Sequence, residues 1–476
     1  MRPMPEEDAM NHELRLADMI CGAGPEASSQ EVDKASRHFA DLVGVTLAAL
    51  GEPQVAALAR LVSEAGQGHT GARAWGTNRR LSLRDAGLLN GFAAHFHDFD
   101  DDETELAMAH VTVSAMTAAA VVGDSRSGLS GDAVLRAYLT GTETAMRIGA
   151  LVNPRHYRRG WHATATLGVF AACAAAGRLF GLGPLPMRHA LGIAASLAAG
   201  IRSNFGTDAK PLQVGQAVSN GIFAAECALS GLQSAPGSLF GPRGYVALQE
   251  GDRSRVEAIV EGFGTPYGFS AGGMVVKAYP CCTASHSAIF GLLSLVGGEP
   301  GLAERITGLR CHADPAVRNI LVYDSPATVA EAKFSLPFSL AVAAVYGRAG
   351  IAEFSDAALA DPRVRGVMAR VTQIADAGLP KGPSGISVAA RIFVDLADGT
   401  TREAYCPAVP GSAGNPLDDA ALAAKFVACS EPWLGRTQAV ALFETLLATP
   451  RVPDFSVLAD SFVPVRRNAL PFAKQR

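Results

Sequence analysis

The eight cysteines of this chain, at positions 21, 173, 227, 281, 282, 311, 406 and 429, include no Cys-x-x-Cys pair. Their spacing argues against a disulfide framework, a zinc ribbon and a ferredoxin-type cluster, and a reducing cytoplasm is the expected compartment. Charge is also scarce: 18% of residues are Asp, Glu, Lys or Arg, and the net charge is −4. A chain with no basic surplus has no electrostatic reason to bind nucleic acid or an acidic membrane. The opening "MRPMPEEDAMNHELRLADMI" carries acids and lacks the apolar h-region of a signal peptide. The most apolar stretch, "ATATLGVFAACAAAG" at 163–177, meets Arg178 before reaching the ~18 residues of a membrane span. It reads as a buried helix. No repeat of solenoid period and no low-complexity linker is visible.

What the chain does have is Ala and Gly, with 50 glycines and 49% hydrophobic residues in all. Small side chains let helices approach closely. At 476 residues the length exceeds what one core organises, so two domains are expected. The spacing predicts successive helices from 31 to about 270. "EVDKASRHFADLVGVTLAALG" ends on Gly51 as a C-cap, and "SGDAVLRAYLTGTETAMRIGALV" opens on Ser130 with Asp132 in its first turn. From about 275 the pattern changes. "RITGLRCHAD" and "MARVTQIAD" alternate as strands do, and "ISVAARIFVDLADGTTREAYC" predicts a hairpin turning at Asp398-Gly399. "TVAEAKFSLPFSLAVAAVYG" reads as one helix between them. The expected fold is mainly α. It comprises an N-terminal extension (1–30), a large all-helical domain (31–274), a smaller α+β domain (275–408) and C-terminal helices returning to the large domain (409–476).

Titratable groups gather in four islands. "AHFHDFDDDETELAMAH", residues 94–110, holds three histidines and six carboxylates. Three readings stay open for it: a solvated loop after a helix, an acid/base site, or metal ligation. The metal reading is a hydrolase built on His95, His97, Asp98 and Asp101. A continuous helix would point His95 and His97 about 200° apart, so shared ligation needs a break. In "NPRHYRRGWHATATLG" His162 falls at a helix N-terminus, which favours its neutral, proton-accepting form. Arg155, Arg158 and Arg159 precede it. "NFGTDAKPLQVGQA" holds Lys210 at another helix mouth, and "VVKAYPCCTASH" supplies Lys277, Cys281, Cys282 and His286.

The order "NGFAAHFHDFDD", "GWHATATLG", "AKPLQVG", "KAYPCCTASH", "EAKFSLPF" resembles the MmgE/PrpD family over roughly residues 30–450. That family includes 2-methylcitrate dehydratase, cis-aconitate decarboxylase and iminodisuccinate epimerase. The resemblance implies a homodimer with a helical domain, an α+β lid, no metal or organic cofactor, and a site between the domains. It places catalytic roles on Asp98, His110, His162, Lys210 and Lys277. Substrate contacts fall to Asp102, Gln213, Cys282 and Tyr323, with Arg155 and Arg159 in support. The expected chemistry is proton abstraction next to a carboxylate of a small substrate, leading to dehydration, decarboxylation or epimerisation.

Three positions depart from the family pattern. Asp102 and Glu103 follow the Asp-Phe-Asp-Asp motif where Thr or Ser is usual. His110-Val111-Thr112 replaces His-Pro-Ser, and Gln213 replaces the histidine of Lys-Pro-Leu-His. A carboxylate at 102 should repel a polyanionic substrate, by about 4 kcal/mol for unit charges 4 Å apart at an effective dielectric near 20. A family member that has lost catalysis and serves as a binding subunit is the remaining alternative.

Overall fold

The computed structural model describes residues 5–62, 71–297, 299 and 301–462. Residues 1–4 and 463–476, the outer ends of the first and last expected segments, lie outside the described residues. Eight helices make up most of the larger core: α1 (Glu6–Asp18), α2 (Ser29–Ala48), α3 (Leu83–Phe96), α4 (Val111–Ser125), α5 (Gly131–Val152), α6 (Ala163–Phe180), α7 (Pro184–Leu197) and α8 (Ala209–Leu229). Helix α6 is central, packed by α4, α5 and α8, while α8 also packs on α3.

Glycine explains these approaches. A Cβ at Gly221 of α8 would press on the backbone of Val169 and Cys173 in α6. One at Gly215 would strike the Leu88 carbonyl and stand 3.0 Å from the Phe92 amide of α3. The expected buried helix at 163–177 is α6. It runs on to Phe180 because Arg178 turns outward and donates to the Ile20 carbonyl (2.9 Å). By length and composition α6 is apolar enough to cross a membrane, but 89% of it is buried inside the protein.

Ser130 caps α5 by accepting from the Ala133 amide. Gly51 does not cap α2, which gives way to a 3-10 turn at Ala49–Gly51. The segment expected as an extension joins the large core, since Ala9, Leu16, Ala17 and Ile20 are buried in it.

The second core lies under a four-stranded sheet of order β4-β3-β5-β6, omitting a short ribbon described below. Its strands are β3 (Ile306–Ala313), β4 (Val371–Ala375), β5 (Ala390–Leu396) and β6 (Thr401–Cys406). β3 and β4 are parallel and the other pairs antiparallel, with Asp398-Gly399 turning the β5–β6 hairpin at a Gly399 φ of +83°. Helices α9 (His286–Val296) and α10 (Leu336–Tyr346) supply its apolar cover. The single helix expected over "TVAEAKFSLPFSLAVAAVYG" is two. Pro337 has no amide proton for a helix interior, so it sits in the first turn of α10 behind the Ser335 cap. The break exposes Lys333 and Phe334 to the junction with the large core. Helices α11 (Asp419–Leu434) and α12 (Arg436–Leu447) return to that core through Leu422, Phe426, Leu442 and Leu446.

Candidate active site

The acidic stretch after α3 is folded inward rather than solvated. Helix α3 ends at Phe96, and Asp98 adopts a left-handed φ of +53°, which a short polar side chain tolerates. The turn sends Asp98 and Asp100 back beneath His95. A two-residue ribbon follows, pairing Asp102–Glu103 (β1) with Met274–Val275 (β2). Glu103 then accepts the amides of Glu105 (2.9 Å), Leu106 (3.0 Å) and Ala107 (2.5 Å), which folds the next residues into a tight loop. Burial pushes this carboxyl up to about 7 against the pull of those amides. The loop delivers His110 to the N-terminus of α4, where its amide donates to the Thr164 hydroxyl of α6 (3.1 Å).

Lys210, in the first turn of α8, donates to Asp98 Oδ1 (2.7 Å) and to His95 Nε2 (2.6 Å). Lys277, fully buried just after β2, lies 3.2 Å from Asp98 Oδ1 and donates to the Asp98 carbonyl (3.0 Å). Burial alone would raise the Asp98 pKa, but the two ammoniums hold it well below the usual carboxylate range. Burial likewise opposes the charge of Lys277, yet Asp98 and Asp102 lift its pKa above the ordinary lysine value.

An ammonium can only donate, so His95 carries its lone pair on Nε2 and gives its Nδ1 proton to Asp100 (2.9 Å). Burial lowers His95 to about 4. His162 caps α6, and its Nδ1 is 2.8 Å from the Gln213 side-chain oxygen, so the proton sits on Nδ1. Burial and then Lys210 hold His162 well below the ordinary histidine value. Three buried atoms of the cluster have no hydrogen-bond partner: His162 Nε2, Asp98 Oδ2 and His110 Nδ1.

The structure thus brings Asp98, His110, His162, Lys210 and Lys277 into one cluster. His110 Nε2 is 3.6 Å from Asp98 Oδ1, and its Nδ1 is 3.1 Å from Asp100 Oδ2. Gln213 is there too, holding the tautomer of His162. A cavity of about 720 Å³ opens between the two cores on one side, lined by His95, Asp98, Lys210, Lys333 and Phe334. A smaller one, about 100 Å³, lies on the Asp102 side and is lined by Tyr157, Cys282, Thr283 and Ser387. Cys282 borders that cavity with its thiol pushed up to about 11, by burial and then by Asp98. Tyr323 spans the two cores, its hydroxyl donating to the Phe205 carbonyl (2.8 Å).

Arg155 and Arg159 are not brought to the cluster. The turn at Asn153-Pro154 and the one-turn helix Arg155–Arg158 project them to the outer surface, where both pair with Glu250 (Arg159 at 2.7 Å). The ligand set of the hydrolase alternative is not assembled either. His97 faces Glu52 (3.6 Å), and Asp101 bonds to His38 and to the Thr112 hydroxyl (2.6 Å). Ligating atoms of His95, Asp98, Asp100 and His110 do lie within 4.8 Å of one another. Lys210 already bonds to His95 Nε2 and to Asp98 Oδ1, so a cation ligated by those atoms would compete with an ammonium.

Lys333 escaped sequence reasoning although it stands in the quoted "EAKFSLPF". It donates to the Phe96 carbonyl (2.8 Å), and burial lowers it to about 8. Its only signal was the neighbouring Pro337, which implies the helix break that aims it at the cavity.

Comparison with known proteins adds two findings. The MmgE/PrpD N-terminal domain model matches residues 14–255, and the MmgE/PrpD C-terminal domain model matches residues 279–448. The chain is 30% identical over 246 residues to a cis-aconitate decarboxylase of Aspergillus terreus, a match spanning 49% of each chain. It is 27% identical to the cis-aconitate decarboxylase-like protein oryM of Aspergillus oryzae, over 72% of this chain and 75% of that protein. With the cis-aconitate decarboxylase of Mus musculus the identity is 25%, over 82% of this chain and 80% of the other.

Proposed function

The chain belongs to the MmgE/PrpD family, and we propose that it is a lyase acting on a small carboxylate without a metal or organic cofactor. Decarboxylation or dehydration is the reaction, with epimerisation as the second choice, and the enzyme works as a cytoplasmic homodimer. One observation carries this reading: an unprotonated His162 presents a free Nε2 beside two ammoniums that converge on Asp98. Lys210 and Lys277 hold the substrate carboxylate and disperse the charge that grows on it as the adjacent bond breaks. His162 takes the proton, and His110, on the other side of Asp98, serves as the second acid/base group. Asp98 accepts from Lys210 and pairs with Lys277, which fixes the directions of both side chains. Closure of the small core over the site would exclude water during the reaction.

The test is proton NMR in D₂O with a panel of di- and tricarboxylates, following product and α-proton exchange. His162→Ala should lower turnover by about 10²–10⁴-fold. Wild-type rates in that variant, or turnover that requires a stoichiometric metal ion, would overturn the proposal.

A further inference from the structure

We propose that the substrate carries an ammonium group and that Asp102 recognises it. The inference rests on the lyase reading above, because it names the substrate class of the same cleft. Of the neighbouring buried carboxylates, Glu103 is held by backbone amides and the others have a basic nitrogen partner. Asp98 has two lysines, Asp100 has His95 and His110, Asp101 has His38, and Asp41 has Lys425 at 2.7 Å. Asp102 differs. Its Oδ2 accepts the Thr283 hydroxyl (2.8 Å), while the nearest basic nitrogen to Oδ1 is His110 Nε2 at 3.9 Å. Among the described residues no lysine or arginine is in contact with it; Lys277 feels its charge but bonds to Asp98.

The cavity that Asp102 lines is short of positive charge as well. Besides Asp102 its polar wall is Glu103, Thr104, Tyr157, Cys282, Thr283 and the serines 384 and 387, and the rest is apolar, with Ile320 typical. Of the guanidiniums near its wall, Arg158 lies beside Gly385, and Arg202 stacks on the Tyr157 ring at 4.0 Å and donates to the carbonyls of Tyr157 and Asn319. Neither makes an ion pair with Asp102. The Tyr157 hydroxyl makes no hydrogen bond among the described residues, so it is free to accept one. A largely enclosed carboxylate with no cation in contact is costly, and a second substrate carboxylate here would meet like charge. An ammonium would meet one carboxylate oxygen and several hydroxyl acceptors. Lys210 and Lys277 then hold the reacting carboxylate while Asp102 holds the amine, so the two ends of the substrate are told apart by charge.

Calorimetry on the full-length protein tests this with matched pairs, succinate against aspartate and glutarate against glutamate, with tricarballylate as a trianion. The amino member of each pair should bind at least about tenfold tighter to the wild type. Asp102→Asn should bring that ratio to about one. Thr283→Val removes the Asp102–Thr283 bond and one hydroxyl of the wall but leaves the carboxylate, and should keep most of the preference. A wild-type ratio of one or less, no binding of either amino acid, or a preference that survives in folded Asp102→Asn overturns the proposal. So does Thr283→Val erasing the preference as fully as Asp102→Asn, which would mark Asp102 as a latch between the cores. Should Asp102→Asn fail to fold, the wild-type ratio and Thr283→Val still decide. An amine preference without turnover or proton exchange would leave this proposal standing and count against the lyase reading instead.

Discussion

Asp98→Asn removes one charge from the middle of the cluster and leaves two ammoniums facing each other. Lys210 and Lys277 lie 2.7 and 3.2 Å from the same carboxylate oxygen, so they stand no more than about 6 Å apart. At an effective dielectric near 20 each attraction to Asp98 is about 5–6 kcal/mol, against a mutual repulsion of about 3 kcal/mol. The amide keeps the repulsion and loses both attractions. Breaking a buried pair in this way costs about 3–5 kcal/mol, which is the stability loss expected at pH 7. The pH dependence makes the reasoning sharper. In the variant the lysines have folded pKa values below the unfolded value of about 10.4, so the unfolded chain binds more protons in that window. Stability of the variant should therefore recover as pH rises from 8 toward 10. In the wild type Lys277 is held above its ordinary value, so its contribution is present below pH 10 and lost only as pH rises through the folded pKa. Urea denaturation at pH 7, 8.5 and 9.5 reads both curves. A deficit under about 1 kcal/mol at pH 7, or one that does not narrow with pH, refutes the picture of two ammoniums held by one carboxylate.

Other perturbations reach the same site from different directions. Gln213→Glu puts a carboxylate on His162 Nδ1, which favours the imidazolium, so the acid limb of the pH–rate profile should move to higher pH; an unmoved limb would show that His162 is not the titrating base. Burial lowers His95 and His156 to about 4 and His97 and His286 to about 3. Below pH ~6.5 the unfolded chain takes up protons that these rings refuse, while Asp41 and Glu103, raised to about 6 and 7, act in the opposite sense and offset two of them. The thermal midpoint should accordingly fall from pH 6.5 to 4.5, with a net loss of at least about 2 kcal/mol measured by calorimetry. Gly215→Ala should cost about 1–3 kcal/mol by pushing α8 from α3, and should lower turnover by drawing Lys210 away from Asp98. Full activity with a native thermal midpoint in that variant would show that the close approach does not position the lysine.

Much of this protein was legible locally. Apolar periodicity marked α5 through α8, Ser130 marked the start of α5, and Asp398-Gly399 marked the hairpin, because each depends on neighbours within a few residues. The family resemblance carried by the ordered motifs was enough to name Asp98 and the four side chains that gather around it. What chain order could not say is which groups pair once distant segments pack. Arg155 and Arg159 stand only a few residues from His162, yet a turn and a short helix send them to Glu250 on the outside. Lys333, more than a hundred residues from Lys210, reaches the same cavity because Pro337 broke a helix that periodicity alone would have continued. Asp102 stood out in the sequence as an acid where the family pattern has Thr or Ser, but only the packing of the two cores showed that a hydroxyl, and no cation, contacts it. Periodicity and capping are short-range preferences of the chain, whereas the charge balance of a cleft depends on contacts made across the whole sequence.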